Sequence, residues 1–133
     1  MNDRILFVCQ LNMVRSPMAE GLARKKGLDA ISCGIDPGVE ADELMMSVMR
    51  DVGIDMSQHE PRSLQSVAGQ TFARIITFSE DSKAAANAIF GANAPIELWS
   101  IPMPSMGSHD VRAIMETYRS IRTVISNRLD RQF

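Results

Sequence analysis

The chain has 133 residues, 45 % of them hydrophobic, which suits one folded domain over residues 1–133 and excludes a disordered chain. Fourteen lysines and arginines oppose sixteen aspartates and glutamates, and this near-neutral balance predicts no nucleic-acid partner. Two cysteines are too few for a disulfide scaffold or a thiolate zinc site, so we expect no metal and no cofactor. Without a long apolar run or an export-type leader, the sequence predicts a cytoplasmic protein with reduced thiols and no membrane partner.

The first strand and helix signals lie close to the N-terminus. Residues 4–8 (RILFV) form a short apolar run that is typical of a strand buried on both faces. Ser16 followed by Pro17 predicts an N-cap and the start of a helix over 17–26, which ends before Gly27. The pattern therefore predicts a strand, a short loop and a helix.

A second strand and helix follow. Residues 29–33 (DAISC) predict a strand, and 34–38 (GIDPG) have the composition of a turn. A helix is predicted between Asp42 and Gly53. Its apolar positions recur every four residues, at Leu44, Val48 and Val52.

The second half of the chain repeats this alternation. Residues 72–78 and 96–99 predict strands, and residues 80–90 predict an alanine-rich helix. A closing helix is indicated by apolar residues at three- and four-residue spacing: Val111, Ile114, Met115, Tyr118, Ile121, Ile125 and Leu129. Short buried strands alternating with helices predict a three-layer α/β sandwich around a four-stranded parallel sheet. Ligands bind such sheets at the carboxyl ends of the strands, where Cys9 lies.

The segment from Cys9 to Pro17 (CQLNMVRSP) carries the chemistry. Main-chain N–H groups between a strand and a helix start form a concave anion site, which the helix dipole reinforces. Arg15 adds a planar group that pairs with two phosphate oxygens. The same field stabilises the thiolate form of Cys9, and Ser16 is placed to donate a hydrogen bond to its sulfur. We therefore predict Cys9, Arg15 and Ser16 as catalytic residues. The loop residues predicted to bind the anion, phosphate or sulfate, are Gln10, Leu11, Asn12, Met13 and Val14.

Three segments resemble the low-molecular-weight protein tyrosine phosphatase family and the related thioredoxin-coupled arsenate reductases. They read FVCQLNMVRSPMAEGLA, SCGIDPG and RDVGIDMSQHEPRSL. The resemblance implies a flavodoxin-like sheet in the order 2-1-3-4. It also implies Cys9 as nucleophile, Arg15 as the clamp on the phosphoryl group, and Ser16 as the hydroxyl that eases departure of the thiolate. Asn12 would hold the loop, a role that suits its tolerance of left-handed backbone.

The chain departs from this family at the general acid. Relatives carry an Asp-Pro pair in the loop after the fourth strand, whereas this sequence has Met103 followed by Pro104. A methionine cannot donate a proton to the leaving group. Asp110 and Asp36 are the alternative acids, although Asp110 is more simply a helix N-cap.

A second departure concerns redox chemistry. The arsenate reductases use further cysteines after the third strand, but residues 78–82 read FSEDS, and Val14 stands where many of the phosphatases have a neighbouring cysteine. We interpret Cys33 as core packing rather than a regulatory disulfide partner. Two further interpretations concern groups of residues: core filling for Met45, Met46 and Met49, and solvated surface positions for His59 and His109.

These observations favour a cysteine-dependent phosphatase, a hydrolase that cleaves a phosphomonoester, plausibly phosphotyrosine, on a small molecule or phosphoprotein. Two alternatives stay open. The first is an oxyanion- or phosphoprotein-binding module with little turnover, which the methionine at position 103 favours. The second is an arsenate reductase that works with Cys9 and Cys33 alone.

Overall fold

A computed structural model describes residues 3–102 and 110–133 of the chain. Four parallel strands form one sheet in the order β2-β1-β3-β4. Their bounds are β1, Ile5–Cys9; β2, Ala30–Gly34; β3, Arg74–Thr77; and β4, Ile96–Leu98. All four predicted strands are confirmed, with ends that differ by one or two residues, and the order 2-1-3-4 is the one that the family resemblance implied.

Helices cover both faces of the sheet. Their bounds are α1, Arg15–Lys25; α2, Glu43–Arg50; α3, Glu80–Phe90; and α4, Val111–Gln132. Helices α1, α2 and α4 share one buried cluster with the sheet, whereas α3 and an unpredicted 3-10 turn at Leu64–Val67 contribute to the cluster on the opposite face. The predicted three-layer α/β sandwich is confirmed.

The two faces of β1 enter different cores, because successive side chains of a strand point to opposite sides. Phe7 and Cys9 belong to the cluster beneath α1, α2 and α4. Val8 and its register partner Cys33 belong to the other cluster. Cys33 is fully buried, as expected of a core residue, and its side chain lies on the opposite face from Cys9.

Two predicted helix faces need correction. Helix α2 buries Met45, Val48 and Met49, while the predicted face residues Leu44 and Val52 are only partly buried. Asp42 fixes this rotation, because its carboxylate accepts the Met45 N–H at 3.0 Å and the Tyr118 hydroxyl at 2.9 Å. Met45 and Met49 fill the core, as expected, and Met46 packs against it. In α4, Val111 is 54 % exposed because it stands at the first position of the helix.

The sheet order places the end of β1 at a topological switch point. The chain passes from β1 to β2 on one side, and β3 then pairs with β1 on the other side. A crevice forms outside the carboxyl end of the strand where the order reverses. Cys9 and the loop after it lie at this crevice.

None of the helices within residues 3–102 and 110–133 has the length and apolar character of a membrane-spanning segment.

Candidate active site

The thiol of Cys9 is buried at the start of the loop and is in contact with Ser16. The two atoms Sγ and Oγ are 2.9 Å apart, and the main-chain N–H of Asn12 donates to the same sulfur at 3.3 Å. Asn12 Nδ2 donates to Ser16 Oγ at 2.9 Å, so the proton of that hydroxyl is left for Cys9 Sγ or for the Cys33 carbonyl at 3.3 Å. A thiolate at Cys9 can therefore receive two hydrogen bonds, one from a hydroxyl and one from the main chain.

Asn12 holds the loop in its shape. Its φ of 56° is the left-handed conformation that asparagine tolerates, as the sequence predicts. The side chain is fully buried, and its Nδ2 also donates to Ser32 Oγ at 2.9 Å while its Oδ1 accepts the Arg62 N–H at 3.0 Å. The Ser32 hydroxyl in turn donates a hydrogen bond to Glu20 Oε1 at 3.1 Å. This directional chain fixes the Asn12 amide, and with it the Ser16 hydroxyl.

His59 supports the same loop and is not a solvated surface residue. Its Nε2 lies 2.9 Å from the main-chain oxygen of Asn12, and because a carbonyl only accepts, Nε2 is the protonated ring nitrogen. The expectation of a surface position was wrong because the segment that carries His59 folds back onto the loop, a long-range contact that no local pattern indicates. His109 lies outside the described residues.

Three N–H groups of the loop have no acceptor among the described residues. Three successive carbonyls, those of Cys9, Gln10 and Leu11, accept hydrogen bonds from the turn at 35–38. Within residues 3–102 and 110–133, no acceptor contacts the main-chain N–H groups of Leu11, Met13 and Val14. A set of free donors beside a thiol is the arrangement that an oxyanion fills.

The start of α1 contributes further free donors. The helix begins at Arg15, and its N-cap Val14 provides no side-chain cap. The predicted N-cap role of Ser16 is therefore wrong: Ser16 is the second helical residue, and its hydroxyl bonds to the loop instead. Pro17 is the third helical residue, where the absent N–H costs nothing because first-turn N–H groups have no intrahelical acceptor. The positive end of this helix is left open for an anion.

Arg15 is held rigidly at the edge of the loop. The side chain is 4 % exposed, and Nη1 donates to the main-chain oxygens of Ile101 at 2.9 Å and Phe78 at 3.5 Å. Burial lowers the pKa of the Arg15 guanidinium, while the charge of Cys9 raises it. Within the described ranges no carboxylate pairs with this guanidinium, so a thiolate or a bound anion is its natural counterion.

A cleft of about 260 Å³ opens beside Arg15 and Gln10. Its other walls come from the β3–α3 junction and from the residues after β4. They include Glu80, Asp81 and Pro102. The cleft is the approach to the guanidinium from solvent, and its two acidic side chains were not predicted.

The remaining acid candidates lie at the periphery. Asp36 is exposed in the turn after β2, where its N–H donates to the Gln10 carbonyl at 2.9 Å. Asp110 is the N-cap of α4, as expected, and accepts the Arg112 N–H at 3.0 Å. Met103, which the family resemblance puts at the position of the general acid, lies outside the described residues.

Gly34 lets the loop pass directly over the end of β2. A Cβ at this position would lie 2.8 Å from the main-chain nitrogen of Asn12 and 2.9 Å from the carbonyl oxygen of Gln10. Both atoms belong to the backbone of the loop, so neither can move aside cheaply. Gly38 has a different neighbour, the flexible side chain of Met13.

We expect Gly34→Ala to lower the free energy of unfolding by about 1–3 kcal/mol, because the methyl group overpacks the loop backbone. Urea denaturation measures this loss. The matched variant is Gly69→Ala, where nothing lies within 4 Å of the added Cβ. That change should stay within about 0.5 kcal/mol, as for an ordinary surface substitution. An equal loss in both variants would contradict the close approach at Gly34.

The fold and the loop together define an α/β protein with a cysteine-bearing anion loop at the switch point of its sheet. The chain belongs to the low molecular weight phosphotyrosine protein phosphatase family, whose family model matches residues 4–132.

Two curated relatives represent both branches of this family. The chain is 44 % identical over 64 residues to the probable low molecular weight protein-tyrosine-phosphatase EpsP of Ralstonia nicotianae (strain ATCC BAA-1114 / GMI1000), a match that covers 45 % of this chain and 44 % of that protein. The match therefore spans less than half the length of this relative. The chain is also 28 % identical over 140 residues to the glutaredoxin arsenate reductase of Synechocystis sp. (strain ATCC 27184 / PCC 6803 / Kazusa), covering 96 % of this chain and 93 % of that protein.

Solved structures share the whole fold. The YwlE arginine phosphatase from Geobacillus stearothermophilus superposes with a TM-score of 0.81 at 26 % identity, covering 97 % of this chain and 89 % of that one. Wzb of Vibrio vulnificus, in complex with benzylphosphonate, superposes with a TM-score of 0.79 at 21 % identity over the full length of both chains.

Proposed function

We propose that this protein hydrolyses phosphomonoesters such as phosphotyrosine through a phosphocysteine at Cys9. The observation that carries the proposal is the 2.9 Å contact between Cys9 Sγ and Ser16 Oγ at the base of a loop in which the N–H groups of Leu11, Met13 and Val14 have no acceptor among the described residues. A nucleophile lies beside an empty set of anion donors, and the buried Arg15 guanidinium adds the positive charge that a phosphoryl group requires.

The reaction divides into two displacements at phosphorus. In the first, the Cys9 thiolate forms an S–P bond while the ester P–O bond breaks, and the departing alcohol oxygen takes a proton from solvent water. In the second, a water oxygen attacks phosphorus and releases a proton to solvent, the S–P bond breaks, and the sulfur leaves as a thiolate. The free N–H groups of Leu11, Met13 and Val14 would hold the equatorial oxygens in both steps. The Ser16 hydroxyl would donate to the returning thiolate.

The loop is proposed to bind the phosphoryl group and, as a free ligand, phosphate or sulfate. The benzylphosphonate complex of Vibrio vulnificus Wzb supports this, because a phosphonate has the shape and charge of a phosphate monoester. A phosphorylated small molecule and a phosphoprotein both present such a group. A nucleophilic Cys9 must also remain reduced, which fits the cytoplasmic location that we propose.

A methionine at position 103 predicts a strong dependence on the leaving group. General acid catalysis contributes about 10²–10⁴ in rate, and an aryl oxide leaves without this help more easily than an alkoxide. We therefore expect kcat/KM for para-nitrophenyl phosphate to exceed that for an alkyl phosphate by at least about 10²-fold. Met103→Asp should raise the alkyl rate and narrow the ratio. Steady-state kinetics of the wild-type protein and of Met103→Asp on the aryl and the alkyl phosphate test this. Equal kcat/KM values of the wild-type protein on the two substrates would refute it.

An anion-binding module with little turnover is the second candidate, which the same methionine favours. Stoichiometric enzyme mixed rapidly with para-nitrophenyl phosphate separates the two functions. A burst of nitrophenol equal to the enzyme concentration supports the phosphocysteine, whereas tight phosphate binding without a burst supports the module.

Arsenate reduction is the third candidate, and the Synechocystis relative motivates it. Two observations weigh against a relay between the two cysteines. Cys9 and Cys33 lie on opposite faces of the sheet. Burial, together with the charge of Cys9, raises the pKa of the Cys33 thiol far above its usual range, outweighing the lowering effect of Arg62. Cys33 is therefore a poor resolving thiol.

A further inference from the structure

We propose that Glu80 and Asp81 make the cleft selective for phosphorylated substrates that carry positive charge next to the phosphoryl group. This inference rests on the proposed function and specifies its substrate class. Such a substrate would be a phosphopeptide with arginine or lysine beside the phosphorylated residue.

The two carboxylates face the same space as the anion-binding arginine. Glu80 and Asp81 line the cleft of about 260 Å³ together with Arg15 and Gln10. Arg15 is 4 % exposed, and within residues 3–102 and 110–133 only its Nη1 has an acceptor. The rest of this buried guanidinium is available to a ligand in the cleft. One cavity therefore combines the guanidinium that is proposed to bind the phosphoryl group with two carboxylates.

Glu80 and Asp81 are not neutralised by the protein. Both are exposed, and neither forms a hydrogen bond or an ion pair with any residue that the structure describes. By contrast, Glu97 is paired with Arg74 at 2.8 Å. Lys83, the cation of α3, is not among the residues that line the cleft.

Helix stability alone gives a simpler reason for these two acids, because carboxylates in the first turn interact favourably with the helix dipole. That role does not remove their charge from the cleft. Asp36 adds a third exposed carboxylate close to the loop, since its N–H is bonded to the Gln10 carbonyl. Exposed carboxylates therefore flank the cleft, while the loop is proposed to bind an anion.

This combination works as a selectivity device. A phosphate dianion entering the cleft is repelled by the rim, and a substrate with further negative charge is repelled more. A cation on the substrate removes the repulsion and gains an ion pair with the rim. Selectivity is the difference in binding free energy between the two substrates, so repulsion of the acidic substrate and attraction of the basic one both contribute to it.

The test compares two phosphotyrosine peptides that differ only in whether lysines or glutamates flank the phosphotyrosine. At about 0.01 M ionic strength, where charges act over roughly 30 Å, kcat/KM should favour the basic peptide by about five- to twentyfold. Glu80→Gln combined with Asp81→Asn should reduce this ratio to below about two. Raising the ionic strength to about 0.5 M should do the same in the wild-type protein.

A matched control removes the same charge elsewhere. Asp3→Asn combined with Asp29→Asn acts at the amino-terminal edge of the sheet, opposite the loop, and should leave the ratio unchanged. A wild-type ratio near one, or a preference that survives the Glu80 and Asp81 changes, would overturn the inference.

Failure of the proposed function gives a different result: neither peptide nor para-nitrophenyl phosphate is then turned over. In that case fluorescence anisotropy with the same two labelled peptides measures the ratio of Kd values. A preference for the basic peptide that disappears in the Glu80 and Asp81 variant supports the inference without catalysis, and equal Kd values refute it.

Discussion

Cys9→Ser is expected to lower kcat by at least about 10⁴-fold, equivalent to about 5 kcal/mol of transition-state stabilisation. A serine hydroxyl stays protonated where a thiol ionises, and the hydrogen bonds from Ser16 and the Asn12 N–H are too few to change this. Rapid mixing should show no burst of nitrophenol. Phosphate binding, measured by calorimetry, should persist because the free N–H groups and Arg15 are untouched.

Cys33→Ala is the matched control for this prediction. It removes the other sulfur, which is fully buried in the core cluster on the sheet face opposite Cys9. The free energy of unfolding should fall by about 1 kcal/mol, and kcat should change by less than about threefold. Activity above one-tenth of wild type in Cys9→Ser, or an equal loss in both variants, would remove Cys9 from the mechanism.

Much of this architecture follows from short-range patterns. The short apolar run at residues 4–8 predicts β1, and the alternation of strand and helix signals predicts a parallel sheet with Cys9 at the carboxyl edge of its strands. The bounds of α3 are predicted exactly, because Glu80 follows the serine cap and Gly91, with a φ of 92°, ends the helix. Element types with strong local signals are thus accessible to sequence reasoning.

The polar support of the loop was not accessible in the same way. Ser32 and Glu20 are buried 12 residues apart and linked at 3.1 Å, and His59 bonds to Asn12 across 47 positions. One sequence signal pointed to Ser32: the alternation of side chains along β2 puts it on the same sheet face as Phe7 and Cys9. Contacts across such separations depend on the register and on irregular segments, which residue periodicity does not encode.

The displaced helix start fits the proposed anion site. Ser16 before Pro17 is a strong capping signal, yet the helix begins at Arg15, two residues before the predicted start, and the Ser16 hydroxyl contacts the Cys9 thiol. A side-chain cap would occupy N–H groups that the anion requires. Local rules of helix capping thus fail at the one helix terminus that the site keeps open.

Arg15→Lys should lower kcat/KM by about 10²–10³-fold, most of it in kcat. The Arg15 guanidinium uses Nη1 to bond the carbonyls of Ile101 and Phe78, and its other N–H groups have no acceptor among the described residues, which leaves them for the proposed phosphoryl oxygens. A lysine ammonium has no fixed fork, so it cannot satisfy both carbonyls and still hold two oxygens of the transition state. Positioning is lost although the charge is kept.

The residual activity of Arg15→Lys should also fall as the pH rises. Burial already lowers the pKa of the guanidinium at this site, and the same burial lowers that of a lysine from a smaller starting value. Above this lowered pKa the amine is neutral and the transition state loses its counterion. The wild-type protein should show no such alkaline loss from arginine, which stays charged.

Arg24→Lys provides the control on the same helix. Arg24 donates to the Ala30 carbonyl at 2.8 Å and lies 3.8 Å from Glu20, so it undergoes the same chemical change away from the loop. The kcat/KM of Arg24→Lys should stay within about threefold of wild type at every pH.

If Arg15→Lys also stays within that range, the guanidinium has only a structural role, in which it connects the loop to the carbonyl of Ile101. The positive charge needed for phosphoryl transfer would then have to come from the helix dipole and the loop N–H groups alone.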